Sequence, residues 1–458
     1  MRMERKWAHE SLNMEEVEKF ARDYMDFLNN AKTEREAVKY IIELAEKHGF
    51  REINSVERLS CGDRVYCVLK GKAAILAVIG EEEPKKGMRI IGAHIDAPRL
   101  DIKPIPLYED GGIALFKTHY YGGVKKYQWV NIPLAIHGVV ALRDGRTVEV
   151  VIGEKEDDPV FVIPDILPHL GKKKQESRKG TEVVTAEELC IVVGNSPVSG
   201  NKDAKDRVKK RVLEVLKEKY GITEEDLISA DLEVVPAVKA KESGIDGSLI
   251  AGYGQDDRAC VYTALRAILN IQDIKYTCVA IFVDREEIGS QGISSAQSKF
   301  IDLFIAKVLE KYYGSVREAD LLETYFNSRA ISADVSSVLH PLHKDLHDDA
   351  NAAMLGKGVV LVKYTGKGGK FGSSEARAEY MAWIRKILDK REIPWQSGLL
   401  GKVDVGGGGT IAIFFAERGI EVVDMGPGVL GMHSPYELTS KADIYATYLS
   451  YKAFYEEE

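Results

Sequence analysis

Residues 249–268, with the sequence LIAGYGQDDRACVYTALRAI, form the stretch around which the fold is organised. Two glycines, Gly252 and Gly254, free the backbone directly before a pair of carboxylates, Asp256 and Asp257. Apolar residues then recur at helical spacing, which predicts a loop that feeds a helix. Asp257 could serve as a helix cap, because a carboxylate at this point accepts first-turn N–H groups and interacts well with the helix dipole.

The next apolar run, residues 276–283 (YTCVAIFV), predicts a buried strand. This run leads directly into Asp284, Arg285, Glu286 and Glu287. Two adjacent glutamates at the end of an apolar strand are costly unless a cation offsets their charge. A metal centre at this strand end would supply that charge.

Composition narrows the classes of protein to which the chain can belong. The length of 458 residues predicts two domains, and the net charge of -8 with both signs mixed argues against a nucleic-acid binder. We expect no signal peptide and no membrane partner, because no apolar run approaches the ~20 residues that a bilayer-spanning helix needs. Five cysteines without C-x-x-C spacing fit a reducing compartment, so a soluble, cytoplasmic protein is expected.

The pattern of predicted helices and strands changes twice along the chain. Helical and strand patterns alternate at both ends, whereas the middle has short β-rich runs separated by turn signals. The simplest prediction is an α/β domain made of residues 1–97 and 243–458, interrupted by an inserted, mostly antiparallel β-rich domain of residues 98–242. In such a domain, sites form at the carboxyl ends of the strands.

Other strand ends carry residue types that bind metals. One apolar run ends in His94-Ile95-Asp96, and strand alternation points the histidine and the aspartate to the same side. A second run ends in Asp334, and a third leads through a glycine-containing turn to His433. The complete candidate ligand set contains two imidazoles and three carboxylates: His94, Asp256, Glu287, Asp334 and His433.

This ligand set is large enough for two divalent cations. With Asp256 bridging, each cation could take one histidine, one further carboxylate and one end of the bridge, which leaves a position for water. Mixed nitrogen and oxygen ligands suit zinc, cobalt or manganese better than calcium. Glu286 could act as the general base on the bridging water, and Asp96 could orient the imidazole of His94.

A run of four glycines, residues 406–409, precedes Thr410 and an apolar helical segment. Such a loop could present backbone N–H groups to a substrate anion or an oxyanion, which makes Gly408 and Thr410 candidate substrate-binding residues. The glycines could equally form only a tight turn.

Five motifs follow one another along the chain: His94-Ile95-Asp96, Gly254-Gln255-Asp256-Asp257-Arg258, Asp284-Arg285-Glu286-Glu287-Ile288-Gly289-Ser290, Ser332-Ala333-Asp334 and Met432-His433-Ser434. In this order they resemble the M18 family of metallo-aminopeptidases, the aspartyl aminopeptidase and aminopeptidase I group, over nearly the whole chain. The resemblance implies two divalent metal ions, preferably zinc, held by the five ligands named above. It further implies Glu286 as general base and Asp96 as catalytic support.

The resemblance also implies a fold and an assembly. We expect a zinc-peptidase domain with three layers and a mixed sheet, interrupted by a β-rich oligomerisation domain, and a homo-oligomer that is a dodecamer built from dimers. Relatives in the same clan often hold the bridging aspartate at a cis peptide bond, so the Asp256–Asp257 bond is a candidate for one. An apolar segment, residues 161–167, is predicted to carry a strand into Pro168 and His169. The resemblance implies that His169 reaches the active site of a neighbouring subunit, whereas alone it would be a surface or packing histidine.

The chain departs from the aspartyl-specific members of the family near the fourth motif. These members tend to have a histidine where this chain has Ser337, although His340-Pro341 is retained and His340 is a candidate substrate-binding residue. Lys363 ends the apolar run 359–362 and could pair an acidic side chain of the substrate, or could be a surface lysine. A preference for acidic N-terminal residues is therefore left open.

The main hypothesis is an exopeptidase that removes N-terminal residues from peptide substrates. A metal and its carboxylates hold the free amine, a bridging hydroxide attacks the first carbonyl, and Glu286 passes the proton to the leaving amine. One alternative is a clan relative of the M42, glutamyl aminopeptidase type, which usually has Asp-Asn-Arg where this chain has Asp256-Asp257-Arg258. The other alternative is a non-catalytic, self-assembling scaffold, which the intact Glu286 and the complete ligand set disfavour.

Overall fold

The computed structural model describes residues 6–200, 204–272 and 274–458, which fold into a mixed α/β structure. The α-helices within these ranges are α1 Ala8–Ser11, α2 Met14–Asn30, α3 Glu34–Lys47, α4 Pro168–Lys174, α5 Arg207–Tyr220, α6 Gln255–Leu269, α7 Phe300–Tyr313, α8 Glu318–Asn327, α9 Ala378–Lys390, α10 Ala412–Glu417 and α11 Lys441–Tyr455.

The strands in the same ranges are β1 Arg51–Glu52, β2 Arg64–Leu69, β3 Ala73–Val78, β4 Met88–His94, β5 Arg99–Asp110, β6 Ile113–Tyr121, β7 Leu134–Ala141, β8 Thr147–Ile152, β9 Cys190–Gly194, β10 Ala230–Pro236, β11 Lys241–Ser243, β12 Leu249–Gly252, β13 Thr277–Val283, β14 Arg329–Ser332, β15 Ser336–Ser337, β16 Val359–Val362, β17 Gly366–Lys367, β18 Trp395–Ser397, β19 Gly407–Gly408, β20 Glu421–Gly426, β21 Gly428–Leu430 and β22 Glu437–Ser440.

The chain separates into two compact units. The first contains residues 1–96, 240–432 and 437–458, and the second contains residues 97–239 together with His433–Tyr436. The sequence places the insert at residues 98–242 and assigns the segment around His433 to the α/β domain. In the structure, by contrast, the short segment that begins at His433 groups with the second unit.

The main sheet of the first unit is mixed, with the strand order β1-β2-β3-β13-β4-β14-β20-β16-β18. Its centre is parallel, because β4 pairs in parallel with β13 on one side and with β14 on the other, and β14 pairs in parallel with β20. The carboxyl ends of these strands therefore lie along one edge of the sheet. A smaller sheet in this unit has the order β11-β12-β22-β21-β15 and delivers the chain to α6.

Both faces of the main sheet are covered by helices, so the first unit has three layers. Along β13, Cys278, Ala280 and Phe282 pack into a core with α2, α3, α6, α9 and α11, whereas the alternate residues pack into a second core with α7, α8 and α10. A strand that is buried on both faces needs apolar side chains at every position. This requirement explains the unbroken apolar run that the sequence shows at residues 277–283.

The second unit contains a sheet of order β8-β7-β10-β5-β6-β9, in which every neighbouring pair is antiparallel. The predicted antiparallel character of this stretch is confirmed. The predicted strand at residues 161–167 is wrong: only Phe161 makes an isolated bridge, to Leu134, and α4 begins at Pro168. Pro164 has no N–H group to donate to a ladder, and Pro168 is suited to the first turn of a helix.

Two further expectations concern the whole chain. Across residues 6–200, 204–272 and 274–458, every helix falls short of the length and apolar character that crossing a bilayer requires. All five cysteines are free thiols, as the lack of C-x-x-C spacing predicts.

Candidate metal centre

Three neighbouring parallel strands deliver the candidate ligands to one place in the first unit. His94 is the last residue of β4, Asp284 directly follows β13, and Asp334 lies two residues after β14. Because β13, β4 and β14 are adjacent and parallel, their carboxyl ends meet at the same edge of the sheet. The turn at Glu286–Ile288 adds the two glutamates of the motif.

His94 is almost fully buried and faces three carboxylates. Its Nε2 lies 3.3 Å from Asp256 Oδ1 and 3.9 Å from Glu286 Oε2. Its Nδ1 lies 3.1 Å from the carbonyl oxygen of Asp96. Because a carbonyl oxygen only accepts hydrogen bonds, Nδ1 carries a proton, and Nε2 is the ring nitrogen that faces the carboxylates.

Asp96 supports this arrangement through its carboxylate as well as its carbonyl. It is fully buried, and one oxygen lies 3.4 Å from His94 Nδ1. The same carboxylate accepts the backbone N–H of Glu286 at 3.1 Å and of Glu287 at 3.2 Å. The sequence predicts contact with His94, but it contains no signal for the two bonds that hold the glutamate turn, because they depend on backbone direction.

The junction between β12 and α6 presents Asp256 and Asp257 in a non-helical conformation. The Asp256–Asp257 peptide bond is cis, which confirms the sequence prediction, and Gly254 before it has a φ of +69°. The N–H of Asp256 donates to Glu437 Oε2 at 3.2 Å. Asp257 accepts the N–H of His94 at 3.3 Å, so its carboxylate bonds to β4, and the helix-capping interpretation is not what the structure shows.

Among the residues that the structure describes, there are two groups of side chains whose ligand atoms lie, within each group, no more than 4.8 Å from one another. The first is His94, Asp256 and Glu287, and the second is Asp256, Asp257 and Asp334. Asp256 belongs to both groups, as expected of a carboxylate shared by two cations. Asp257 is an unexpected member, because the sequence considers it only as a cap. These five residues are called the carboxylate cluster below.

The electrostatics of the carboxylate cluster are those of acids crowded into a buried space. Burial raises the pKa of Asp257 well above its usual value, and the neighbouring charge of Asp256 raises it further. Burial likewise raises the pKa of Asp334, with Asp257 and Asp256 adding to the effect. Burial lowers the pKa of His94, but hydrogen bonds to Asp256 and Asp96 outweigh burial and hold that pKa well above its usual range.

These residues fit divalent cations. Buried carboxylates that repel one another are costly unless positive charge compensates them, and a single imidazole cannot balance four acids. One nitrogen donor among several carboxylate oxygens is a donor set that zinc, cobalt and manganese accept. The carboxylate cluster therefore has the composition and spacing of a metal centre.

The second unit holds two of the predicted site residues. His433 has a left-handed backbone with a φ of +66°, and its Nδ1 lies 3.1 Å from the carbonyl oxygen of Gly123. A side chain at Gly123 would place its Cβ 3.0 Å from that same nitrogen, so the close approach favours glycine. His169 is the second residue of α4 and is exposed.

The predicted substrate-binding residues of the first unit lie in more exposed positions than the carboxylate cluster. Lys363 follows β16, and its ammonium group lies 3.9 Å from Glu375 on the surface. His340 accepts the N–H of Leu342 at Nδ1, and its own N–H donates to His347.

The glycine run forms a short strand rather than an open loop. Gly407 and Gly408 pair with Lys367 and Gly366 in a two-stranded ladder. The hydroxyl of Thr410 donates to Asp424 at 2.6 Å. Backbone groups of Gly407 and Gly408 therefore make ladder hydrogen bonds within the protein, although the sequence predicts Gly408 to contact substrate.

A three-layer α/β domain with an imidazole and several carboxylates at the carboxyl ends of its parallel strands is typical of a metal-dependent hydrolase. A family model described as "Aminopeptidase I zinc metalloprotease (M18)" matches residues 27–455. The chain therefore belongs to the M18 family of metallo-aminopeptidases, which are hydrolases. The resemblance to the M18 family that the five motifs indicate is confirmed.

Individual relatives agree with this assignment. A probable M18 family aminopeptidase 1 of Thermotoga neapolitana is 49% identical over 458 residues and covers 100% of both chains. The crystal structure of an M18 aminopeptidase from Thermotoga maritima is 48% identical, covers 100% of both chains and has a TM-score of 0.96. That of aminopeptidase I from Clostridium acetobutylicum is 44% identical, covers 100% of both chains and has a TM-score of 0.93.

A more distant structure shares the fold. It is the mApe1 dodecamer of S. cerevisiae, which is 20% identical, has a TM-score of 0.76 and covers 95% of this chain and 96% of its own. The match to the M18 family over most of the chain excludes the M42-type alternative.

Proposed function

We propose that two divalent cations that share the carboxylate of Asp256 perform the aminopeptidase reaction of this chain. The observation that carries this proposal is the membership of Asp256 in both ligand groups of the carboxylate cluster. His94, Glu287, Asp334 and His433 are proposed as the remaining ligands. Zinc is the preferred metal because the family is described as zinc metalloproteases, and cobalt or manganese would suit the same donors.

Glu286 is proposed as the general base. Its side chain is 18% exposed, whereas the side chains of His94 and Asp256 are 2% and 5% exposed, so a substrate and a water molecule can reach it. Cations held by the carboxylate cluster would supply positive charge that lowers the pKa of a water molecule and polarises a carbonyl group. Glu286 takes the proton of the attacking water and returns it to the amine that leaves when the first peptide bond breaks.

Asp96 is proposed to support both partners in this chemistry. It holds the proton-bearing side of the His94 ring, and it fixes the backbone of Glu286 and Glu287 through two N–H bonds. Loss of the carboxylate would therefore disturb a ligand and the base together. Substrate binding by His340, Gly408 and Thr410 remains a prediction, as does a cytoplasmic location, and Lys363 is left open between a substrate contact and a surface lysine.

We also propose a homo-oligomer, a dodecamer built from dimers, in which His169 completes the site of a neighbouring subunit. The exposed position of His169 between Leu167 and Leu170, which are 50% and 61% exposed, supports a contact with another subunit. A relative with the same fold, the yeast protein mApe1, is described as a dodecamer. A neutral imidazole close to two cations could donate an N–H to the oxyanion or the substrate.

The proposed metal requirement is tested by removing and returning metal. We expect a chelator to abolish turnover of an aminoacyl-amide panel, and we expect added zinc, cobalt or manganese to restore it near two equivalents per chain. Full turnover in the metal-free protein would contradict the proposed mechanism. No turnover with any metal would favour the non-catalytic scaffold.

The role of His169 is tested by complementation between subunits. We expect His169→Ala to lower kcat by about 10²-fold, as loss of an oxyanion donor does, while the metal content is kept. His119→Ala removes another exposed histidine of the second unit and should have little effect. Co-expression of His169→Ala with Glu286→Gln should restore part of the activity, because some sites then combine two intact residues. Verified mixed oligomers that stay as inactive as their parents would exclude action across a subunit boundary.

A further inference from the structure

The loop that carries Glu286 and Glu287 is tied together at its two ends. The N–H of Asp284 donates to the carbonyl of Ser294 at 3.0 Å, and the hydroxyl of Ser294 donates to Asp284 Oδ2 at 2.9 Å. Both residues are buried, with 2% and 3% exposure. Because both groups are buried, water does not compete for these two bonds, and the pair closes the loop.

Between these ends, the outer part of the loop has bonds within itself, and the Nε2 of Gln297 donates to the carbonyl of Gly289 at 3.3 Å. Its tip is open to solvent: Ile288 is 45% exposed and Ile293 is 63% exposed. Arg285 and Ser290 have left-handed backbones, and they are joined by a bond of 2.7 Å from the N–H of Ser290 to the carbonyl of Arg285. A loop with an exposed tip has few packing contacts to fix its position, so its anchored ends decide where it lies.

The two sides of the loop touch just inside the closure. A Cβ on Gly292 would lie 2.8 Å from Cδ of Arg285. The segment that leads back to Ser294 therefore packs against Arg285, the residue before Glu286. On the sheet side, Asp96 holds the N–H groups of Glu286 and Glu287. Displacement of Ser294 would therefore be transmitted through Arg285 to Glu286.

We propose that Asp284 and Ser294 are positioning residues that set the distance of the Glu286 carboxylate from the reacting atoms. This inference rests on the proposed role of Glu286 as the general base. Asp284 and Ser294 are not proposed to contact substrate or metal. They affect Glu286 only through the position of the loop. A misplacement of about 1 Å in a reacting group can lower turnover by about 10²-fold.

The first test compares two buried serines. Ser294→Ala deletes the hydroxyl that closes the loop, and Ser450→Ala deletes a buried hydroxyl that donates to Ala446 at 2.7 Å in α11. We expect Ser294→Ala to lower kcat about 10- to 100-fold with KM and metal content unchanged, and Ser450→Ala to leave kcat within about twofold. Ser294→Thr keeps the hydroxyl and should recover most of the loss.

The second test asks whether Ser294 acts through Glu286. Effects of residues that act through one another do not add, so Ser294→Ala should cause no further loss of the residual turnover of Glu286→Gln. If Ser294→Ala does not fold, Asp284→Asn takes its place in both tests, because it keeps the size of the side chain and weakens the acceptor.

Three results would overturn the proposal. The kcat of Ser294→Ala could be unchanged, or Ser294→Ala could lower turnover by the same factor in the wild type and in Glu286→Gln. Either result would show that Ser294 does not position Glu286, and neither would exclude Glu286 as the general base. Wild-type turnover in Glu286→Gln alone would remove the base itself, and with it the reason to position the loop. The first two outcomes concern the Asp284–Ser294 pair, and the third concerns the proposed function.

Discussion

The carboxylate cluster and the glycine loops, residues 363–372 and 406–410, are held in place by different physical means. The cluster lies at the ends of three paired parallel strands, and its members His94 and Asp256 are 1% and 4% exposed. The glycine loops depend on a ladder of two short strands and on exposed ion pairs such as Lys363 with Glu375. The sheet therefore fixes the metal centre, whereas turns and surface pairs fix the glycine loops.

This difference predicts how substitutions should rank. A buried charged group with several partners is expensive to disturb, because each partner loses its compensation at the same time. An exposed ion pair contributes little, because water and salt replace it readily. Substitutions should therefore have large effects in the carboxylate cluster and small effects in the glycine loops, with Thr410, which bonds to the buried Asp424, between them.

The largest effect is expected for Asp256→Asn. The change removes the charge shared by both ligand groups, so metal affinity should fall by more than about 100-fold and turnover should be lost with it. Metal content by elemental analysis should decrease before the thermal unfolding transition does. Asp246→Asn, an exposed aspartate that accepts the N–H of Ser248, is the matched control and should keep its metal. Full metal content in Asp256→Asn would show that Asp256 is not a ligand shared by two cations.

Glu286→Gln should be the next most severe change. It deletes the base without deleting a ligand, so turnover should fall by about 10²- to 10⁴-fold while the metal stays bound. Turnover and metal content measured on one preparation check this expectation. A variant that loses metal instead would show that the roles of Glu286 and Glu287 are exchanged.

Thr410→Val should have a moderate effect on stability that depends on pH. Burial raises the pKa of Asp424 from 3.8 to about 6, against the hydrogen bond from Thr410, which lowers it. Between these values the folded protein binds more protons than the unfolded chain, so the contribution of Asp424 to stability decreases as pH rises through about 6. The hydroxyl of Thr410 limits that decrease, because it stabilises the ionised carboxylate.

The cost of Thr410→Val should therefore be larger at about pH 8 than at about pH 5, and should reach about 1–3 kcal/mol. Chemical denaturation at both pH values measures it. Thr439→Val removes a hydroxyl that donates to the neutral carbonyl of Gly428 at 2.8 Å, so its cost should be the same at both pH values. Equal costs for Thr410→Val at the two pH values would mean that Asp424 does not titrate in this range.

Lys363→Ala should have the smallest effect. The side chain is 45% exposed and its ion pair with Glu375 is loose, so kcat/KM should stay within about twofold of the wild type. Lys370→Ala removes the other lysine of Glu375 and is the matched control. A tenfold or larger loss confined to peptides with an acidic N-terminal residue would instead place Lys363 in the substrate pocket.

The sequence allowed the main sheet and the glutamate turn to be predicted for a simple reason. An apolar run that is buried on both faces leaves a clear record, and polar residues that follow such a run must lie at a sheet edge. His94 and Asp334 could be placed near each other from this rule alone. The place of Asp256 in the site could be predicted only from the two glycines before it together with the other motifs.

The contacts that the sequence did not predict depend on backbone direction. Asp96 bonds to the N–H groups of Glu286 and Glu287, and Asp257 bonds to the N–H of His94, although nothing in the residue types distinguishes these partners. The closure of the glutamate loop by Ser294 has the same character. The failure at residues 161–167 is different, because the apolar pattern suggested a strand that Pro164 does not permit.

The central claim is that two cations share Asp256 at the ends of β4, β13 and β14. Crystals of the zinc-reconstituted protein, measured at wavelengths on either side of the zinc absorption edge, test this claim most directly. We expect two anomalous peaks per chain, both within ligand distance of the Asp256 carboxylate. A single peak, or two peaks of which one lacks Asp256 as a ligand, would contradict it.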